Sequence, residues 1–164
     1  LVVLQISYPP GPGPLDRLKS GLHTLIRTSV RPVLTVPRAM RSLDRILLAY
    51  DGGPKAEEAL VLATYLAARW SKQLAVVTVA EPRKPSVEGA RIKAKAYLAA
   101  HGVSADILTV SGQAGDAVLE AAERTGSDVV VMGGHGTGPV SDLLLGSAVE
   151  TVLRASRLPT LICP

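Results

Sequence analysis

The sequence predicts an α/β fold: an open, parallel, five-stranded sheet with helices on both faces. Three observations carry this expectation. Short apolar segments rich in β-branched residues alternate with helix-period segments from Arg45 onwards, the pattern that builds right-handed crossovers and a parallel sheet. The strand segments RILLAY, LAVVTVA and VVVM are continuous apolar runs, as strands covered on both faces require. The core must be aliphatic, because the 164 residues include no Phe, one Trp and four Tyr while 47% are hydrophobic. That content also places the chain among ordered proteins with a real core.

Arg45–Tyr50 is the first strand of the regular alternation. Gly52-Gly53-Pro54 turns it into a helix, with Pro54 near the first helical position and Glu57 and Glu58 at the positive end of the helix dipole. Leu60, Leu62, Ala63, Leu66 and Ala67 give this helix an apolar face, and it ends near Ser71. Leu74–Ala80 is the second strand and Glu81–Ser86 a loop. Val87–Ala100 is the second helix, ended by Gly102 as a cap, and Ala105–Val110 the third strand. Ala114–Arg124 is the third helix, closed by Gly126, and Val129–Met132 the fourth strand. A fourth helix over about Ser147–Ser156 and a fifth strand, Pro159–Cys163, complete the unit. The expected strand order is 3-2-1-4-5, so the chain reverses direction between strands one and four. Ligands of open α/β sheets bind in the crevice at the carboxyl ends of such a pair, and Asp51 and Gly133 stand at those ends.

The stretch VVVMGGHGTGPVSDLLLGS, Val129–Ser147, leads to the same crevice independently. Gly133, Gly134, Gly136 and Gly138 give a backbone free to take positive φ and to lay its N–H groups against a ligand. Gly146 and Ser147 fall at a helix start, where unpaired N–H groups and the macrodipole favour an anion. Together these features read as a phosphate cradle; an ordinary flexible turn is the other reading. A dinucleotide fingerprint starting at Gly134 would need Gly or Ala where Pro139 stands and belongs after the first strand of its domain. A Walker loop fails too, because Lys55 follows Asp51-Gly52-Gly53-Pro54 without the second glycine frame or a following hydroxyl.

The spacing Gly133-x2-Gly136-x9-Gly146-Ser147 resembles the G-x2-G-x9-G-[S/T] signature of the ATP-binding branch of the universal stress protein family. Residues 44 to 164 resemble that family's whole order of elements, from DRILLAYDGG to RLPTLICP. The resemblance implies a Rossmann-like domain that binds ATP, with or without Mg²⁺. It implies that Ala49, Tyr50 and Val79 wall the base pocket, with Met132 at the end of strand four, and that Asp51 accepts hydrogen bonds from the ribose or the adenine amino group. It implies that Gly133, Gly134, Gly136 and Gly138 bring N–H groups to the phosphates. Gly146, Ser147, Ala148 and Val149 would act at the helix start, Ser147 as donor and cap, and His135 would touch the phosphates through side chain or backbone. The residues alone leave open that Asp51 is a turn former before Gly-Gly and Val79 a core residue.

No catalytic residue is assigned, and no metal ligand set is recognised. Phosphoryl transfer needs charge neutralisation and an oriented nucleophile, whereas this loop offers mainly backbone amides. The expectation is a regulatory or stress-response module that holds ATP and hydrolyses it slowly or not at all, with a regulatory partner of unspecified kind. An ATP-dependent ligase or phosphatase of a related α/β fold is the alternative.

The first forty residues parallel the last thirty-six: Arg27, Ser29, Pro32 and Pro37 fall on Arg154, Ser156, Pro159 and Pro164. Two units are therefore expected. Residues 1–40 read as the back part of a degenerate first repeat whose front is not in the sequence, and residues 43–164 as a complete repeat. In the first copy Gln5 stands for Gly133, Pro9, Pro10, Pro12 and Pro14 crowd the loop, and Lys19-Ser20 replaces Gly146-Ser147, so this copy is not expected to bind a nucleotide in the same way. Family members resemble one another in pairing through the last strand about a twofold axis. Val33 to Val36 and Thr160 to Cys163 are accordingly expected to pair antiparallel, as a pseudo-dimer within the chain, with a homodimer as the alternative.

The net charge of +4 is dispersed and few aromatics accompany it, which argues against a nucleic-acid partner. The lack of a membrane-length apolar run or a charged-then-apolar opening segment leads to the expectation of a cytoplasmic protein without a membrane partner. The single cysteine, Cys163, excludes an internal disulfide and a multi-cysteine metal site and reads as a buried strand residue.

Overall fold

A computed structural model describes residues 1–6, 21–38, 42–81, 87–134 and 146–164. Its elements are β1 (Val2–Gln5), α1 (Leu22–Thr28), β2 (Val33–Val36), β3 (Arg45–Ala49), α2 (Pro54–Trp70), β4 (Gln73–Ala80), α3 (Glu88–Ala100), β5 (Asp106–Ser111), α4 (Ala114–Thr125), β6 (Val129–Gly133), α5 (Ser147–Ala155) and β7 (Thr160–Cys163). The strands form one seven-stranded sheet in the order β1-β2-β7-β6-β3-β4-β5. Every neighbouring pair is parallel except β2 and β7.

This corrects the expectation of a five-stranded sheet: β1 and β2 of the first forty residues continue the same sheet beyond β7. β7 is buried at all four positions, so a free outer edge would leave backbone groups unpaired in an apolar setting, which is costly. β2 satisfies them. Val33, Leu34 and Thr35 lie opposite Ile162, Leu161 and Thr160, and the Thr35 hydroxyl donates to the Thr160 carbonyl at 3.2 Å. The antiparallel pairing of these two strands is thus formed within the chain, and the β7 edge is not open to a second copy.

Side chains alternate between two cores. Leu47, Val77, Val130, Met132 and Ile162 pack with Ala117, Val118 and Ala121 of α4, Val152 and Leu153 of α5 and Ile26 of α1. On the other face, Ile46, Leu48, Val76, Val131, Leu161 and Cys163 pack with Ala56, Ala59, Leu60 and Ala63 of α2 and with Ala94 and Leu98 of α3. The alanines of α2 let its backbone lie close to β6. Among the described residues, no helix is long and apolar enough to cross a membrane.

Gly126 ends α4 in the left-handed conformation expected of a C-terminal glycine, with φ 59°. α2 ends differently, on Ser71 at φ 52°, with Lys72 N–H reaching the Ala67 carbonyl at 3.0 Å. A Cβ is strained in that region. Ser71→Gly is expected to stabilise the protein by about 1 kcal/mol, raising Tm by roughly 2–4 °C. An unchanged or lowered Tm in a thermal melt would contradict the strain.

Candidate functional site

The chain leaves β3 towards β4 and β5, then crosses back to place β6 and β7 on the opposite side of β3. The carboxyl ends of β3 and β6, where Ala49 lies opposite Met132, therefore flank a switch-point crevice.

On the β3 side, Asp51 is exposed and its Oδ1 accepts the Gly53 N–H at 2.9 Å. This is the turn-forming role; it holds the carboxylate at the crevice mouth without using both oxygens. Gly52, at φ 80°, allows the sharp turn into α2. Tyr50 is 2% exposed and packs in the α2–α3 core, so its ring does not wall a pocket at the surface. Its hydroxyl donates to Glu57 Oε1 at 2.6 Å, and burial followed by this carboxylate pushes its pKa well above the ordinary phenol value. For Glu57, burial works against ionisation, but its bonds to Lys93 and Tyr50 prevail and hold its pKa below the ordinary value. Ala49 and Val79, both partly buried, pack on the opposite, α4–α5 core together with Met132, Val149 and Ala148. The pocket-wall candidates thus divide between the two faces, Tyr50 apart from the rest.

On the β6 side, Gly133 lies opposite Cys163. Its φ is not positive. A Cβ there would lie 2.8 Å from the Lys55 carbonyl carbon and 2.9 Å from the Ala56 nitrogen, so this glycine is demanded by the first turn of α2. Gly134 donates its N–H to the Cys163 carbonyl at 2.6 Å, which removes it from the expected phosphate donors. Its carbonyl accepts the Gly146 N–H at 3.2 Å, tying the start of α5 to the end of β6. The expected contacts of His135, Gly136 and Gly138 lie outside the described residues.

Gly146 is the N-cap of α5, and among the described residues no side chain caps this helix. Ser147 is thus the first helical residue, exposed, and not the cap expected from the sequence. The first-turn N–H groups of Ser147, Ala148 and Val149 have no partner within the helix, as geometry dictates. Together with the Ser147 hydroxyl they are the hydrogen-bond donors that this helix start presents. The Val149 side chain itself is buried at 2% exposure. Cys163 is buried as expected; burial, followed by the Glu58 charge, pushes its thiol up to about 11.

Two residues of this region were not singled out as site residues from the sequence. Gly115, the second residue of α4, sits against Thr151 of α5: a Cβ there would be 2.7 Å from Thr151 Cγ2 and closer still to its Cβ. It sets how near α5 lies to α4. Lys55, set aside with the Walker motif, packs on Gly133. A glycine inside a helix start and a lysine beside Gly-Gly-Pro were the only signals available.

The strand order defines a doubly wound α/β domain with a crevice at its switch point. Its relatives are consistent in kind. The model of the universal stress protein family matches residues 86–164. A universal stress protein of Thermus aquaticus is 32% identical over 131 residues, covering 71% of this chain and 96% of the relative. A universal stress protein of Synechocystis is 26% identical over 145 residues, covering 88% of this chain and 50% of the relative. Among solved structures, a universal stress protein of Archaeoglobus fulgidus superposes with a TM-score of 0.78 at 23% identity, covering 98% of this chain and 60% of that one. Another, a universal stress protein in complex with cAMP, superposes with a TM-score of 0.59 at 21% identity, covering 74% of this chain and 97% of that one. The chain belongs to the universal stress protein family. It spans half the length of the Synechocystis relative and 60% of the Archaeoglobus one.

Proposed function

We propose that the chain is a regulatory or stress-response module that binds ATP in the crevice between the carboxyl ends of β3 and β6. The observation that carries this is the α5 start: a helix N-terminus without a side-chain cap among the described residues, anchored to Gly134 just after β6 and lying at the same sheet edge as Asp51. The spacing of Gly133, Gly136, Gly146 and Ser147 supports the same ligand. Asp51 takes the ribose, Ala49, Val79 and Met132 lie beneath the base end, and Ser147 with the N–H groups of Ala148 and Val149 takes the phosphates. These are binding groups, so hydrolysis is expected to be slow or absent.

Ser147→Ala is expected to lower ATP affinity roughly ten- to hundredfold, the worth of a hydrogen bond to a charged group, about 1.5–3 kcal/mol. Calorimetry with ATP, ADP and cAMP on the full chain tests this; wild-type affinity for ATP in the variant would remove Ser147 from the site.

We further read residues 1–40 as a degenerate repeat and residues 43–164 as a complete one. The alignment that places Arg27 on Arg154 also places Leu34 on Leu161, and these two face each other across the β2–β7 pair. It places Val36 on Cys163, whose neighbours in the parallel pairs are Gln5 and Gly133 respectively. With Gln5 in the glycine's place, one ATP per chain is expected.

A further inference from the structure

The glycine loop offers amides and no cation, yet a cation lies one element away. Lys55 is the second residue of α2, and its Cβ would be 3.0 Å from a Cβ on Gly133, so its side chain starts from the end of β6. Its Nζ donates to Glu58 Oε1 at 2.9 Å, one turn along the helix, with the two side chains 37% and 55% exposed. Such exposed pairs hold weakly. Both charges act at Cys163, the residue opposite Gly133: Glu58 raises its thiol pKa and Lys55 lowers it. With Lys55 packed on Gly133 and Gly133 opposite Cys163, the pair lies at the carboxyl edge of β6 and β7.

We propose that Lys55 is the cationic arm of the crevice, held in store by Glu58 and transferred to the phosphates when nucleotide enters. This rests on the ATP-binding reading above. Lysine suits the role because it is a compact charge on a flexible stem, and a polyphosphate offers it a stronger partner than an exposed carboxylate. Glu58 then acts against binding, as a competitor for the same ammonium.

Calorimetry with ATP and with adenosine on the full chain, Lys55→Met, Glu58→Gln and the double variant tests this. Lys55→Met is expected to weaken ATP binding about tenfold and to leave adenosine binding unchanged, since only the phosphates meet the ammonium. Glu58→Gln is expected to tighten ATP binding about threefold, and the double variant to lose that gain. If the two residues form a surface pair and nothing more, neither single substitution moves ATP affinity; if they act only through the general field, the gain from Glu58→Gln persists in the Lys55→Met background and the two changes add; either outcome overturns the proposal. ATP affinity lost in Ser147→Ala but kept in Lys55→Met overturns the role of Lys55 alone. No ATP binding by the unsubstituted chain overturns the crevice reading and the lysine arm together.

Discussion

Gly133→Ala is expected to destabilise the protein by about 3 kcal/mol, the upper range for overpacking a tight contact, and to lower Tm by roughly 6–12 °C. The new methyl group would lie 2.8–3.0 Å from the Lys55 carbonyl carbon, the Ala56 nitrogen and Lys55 Cβ. Two of these are backbone atoms of the first turn of α2, so no rotamer change relieves the clash; the helix must move off β6. Because Ala56, Ala59, Leu60 and Ala63 of that helix build one of the two cores, the displacement is felt across the face. Gly134→Ala is the milder control, with its nearest neighbours at 3.1 and 3.2 Å. Thermal and urea unfolding of both variants measure the difference. A Gly133→Ala protein of normal stability that has lost only ATP affinity would show that the glycine serves the ligand and not the helix.

Gly115→Ala reverses the usual sign of a glycine-to-alanine change within a helix. Helix propensity alone favours alanine by about 1 kcal/mol, but the methyl group would enter the space of Thr151, with Cγ2 at 2.7 Å and Oγ1 at 3.0 Å. An overpacking cost of about 3 kcal/mol outweighs the propensity gain, leaving a net loss of about 2 kcal/mol. The wall that moves is α5, which carries Ser147 at its start and Val149, Val152 and Leu153 in the core. Nucleotide affinity is therefore expected to fall with stability. Adding Thr151→Gly vacates the space, so the double variant should recover stability beyond the sum of the single changes. Equal losses without that coupling would place the cause outside the α4–α5 contact.

Much of the architecture was legible from local pattern. The apolar runs at Arg45–Tyr50, Leu74–Ala80 and Val129–Met132 mark strands buried on both faces, and the described strands lie within a residue or so of those spans. Gly126 and Pro54 mark helix ends by chemistry that needs no tertiary information, a left-handed cap and a fixed φ. Ser71 was harder: its left-handed conformation is imposed on a residue with no special preference for it.

The surroundings of the candidate site residues were less legible. Glycine spacing names a loop, but it does not say which neighbour forbids a side chain. Gly133 is required by a helix that starts some eighty residues earlier, and the Gly134 N–H is taken by β7. Tyr50, adjacent in sequence to two candidate ligand residues, turns into the opposite core because alternate positions of a strand face opposite sides.

The sequence by itself determined the alternation of strands and helices, the aliphatic core, and the apolar strand character of Val33–Val36 and Thr160–Cys163. These are properties of neighbouring residues. Only the tertiary structure decided that the sheet has seven strands, that Gly115 sets the approach of α5, and that Lys55 stands beside Gly133. Those outcomes depend on which edges must be satisfied and which backbones meet closely, and such contacts join residues far apart in the chain.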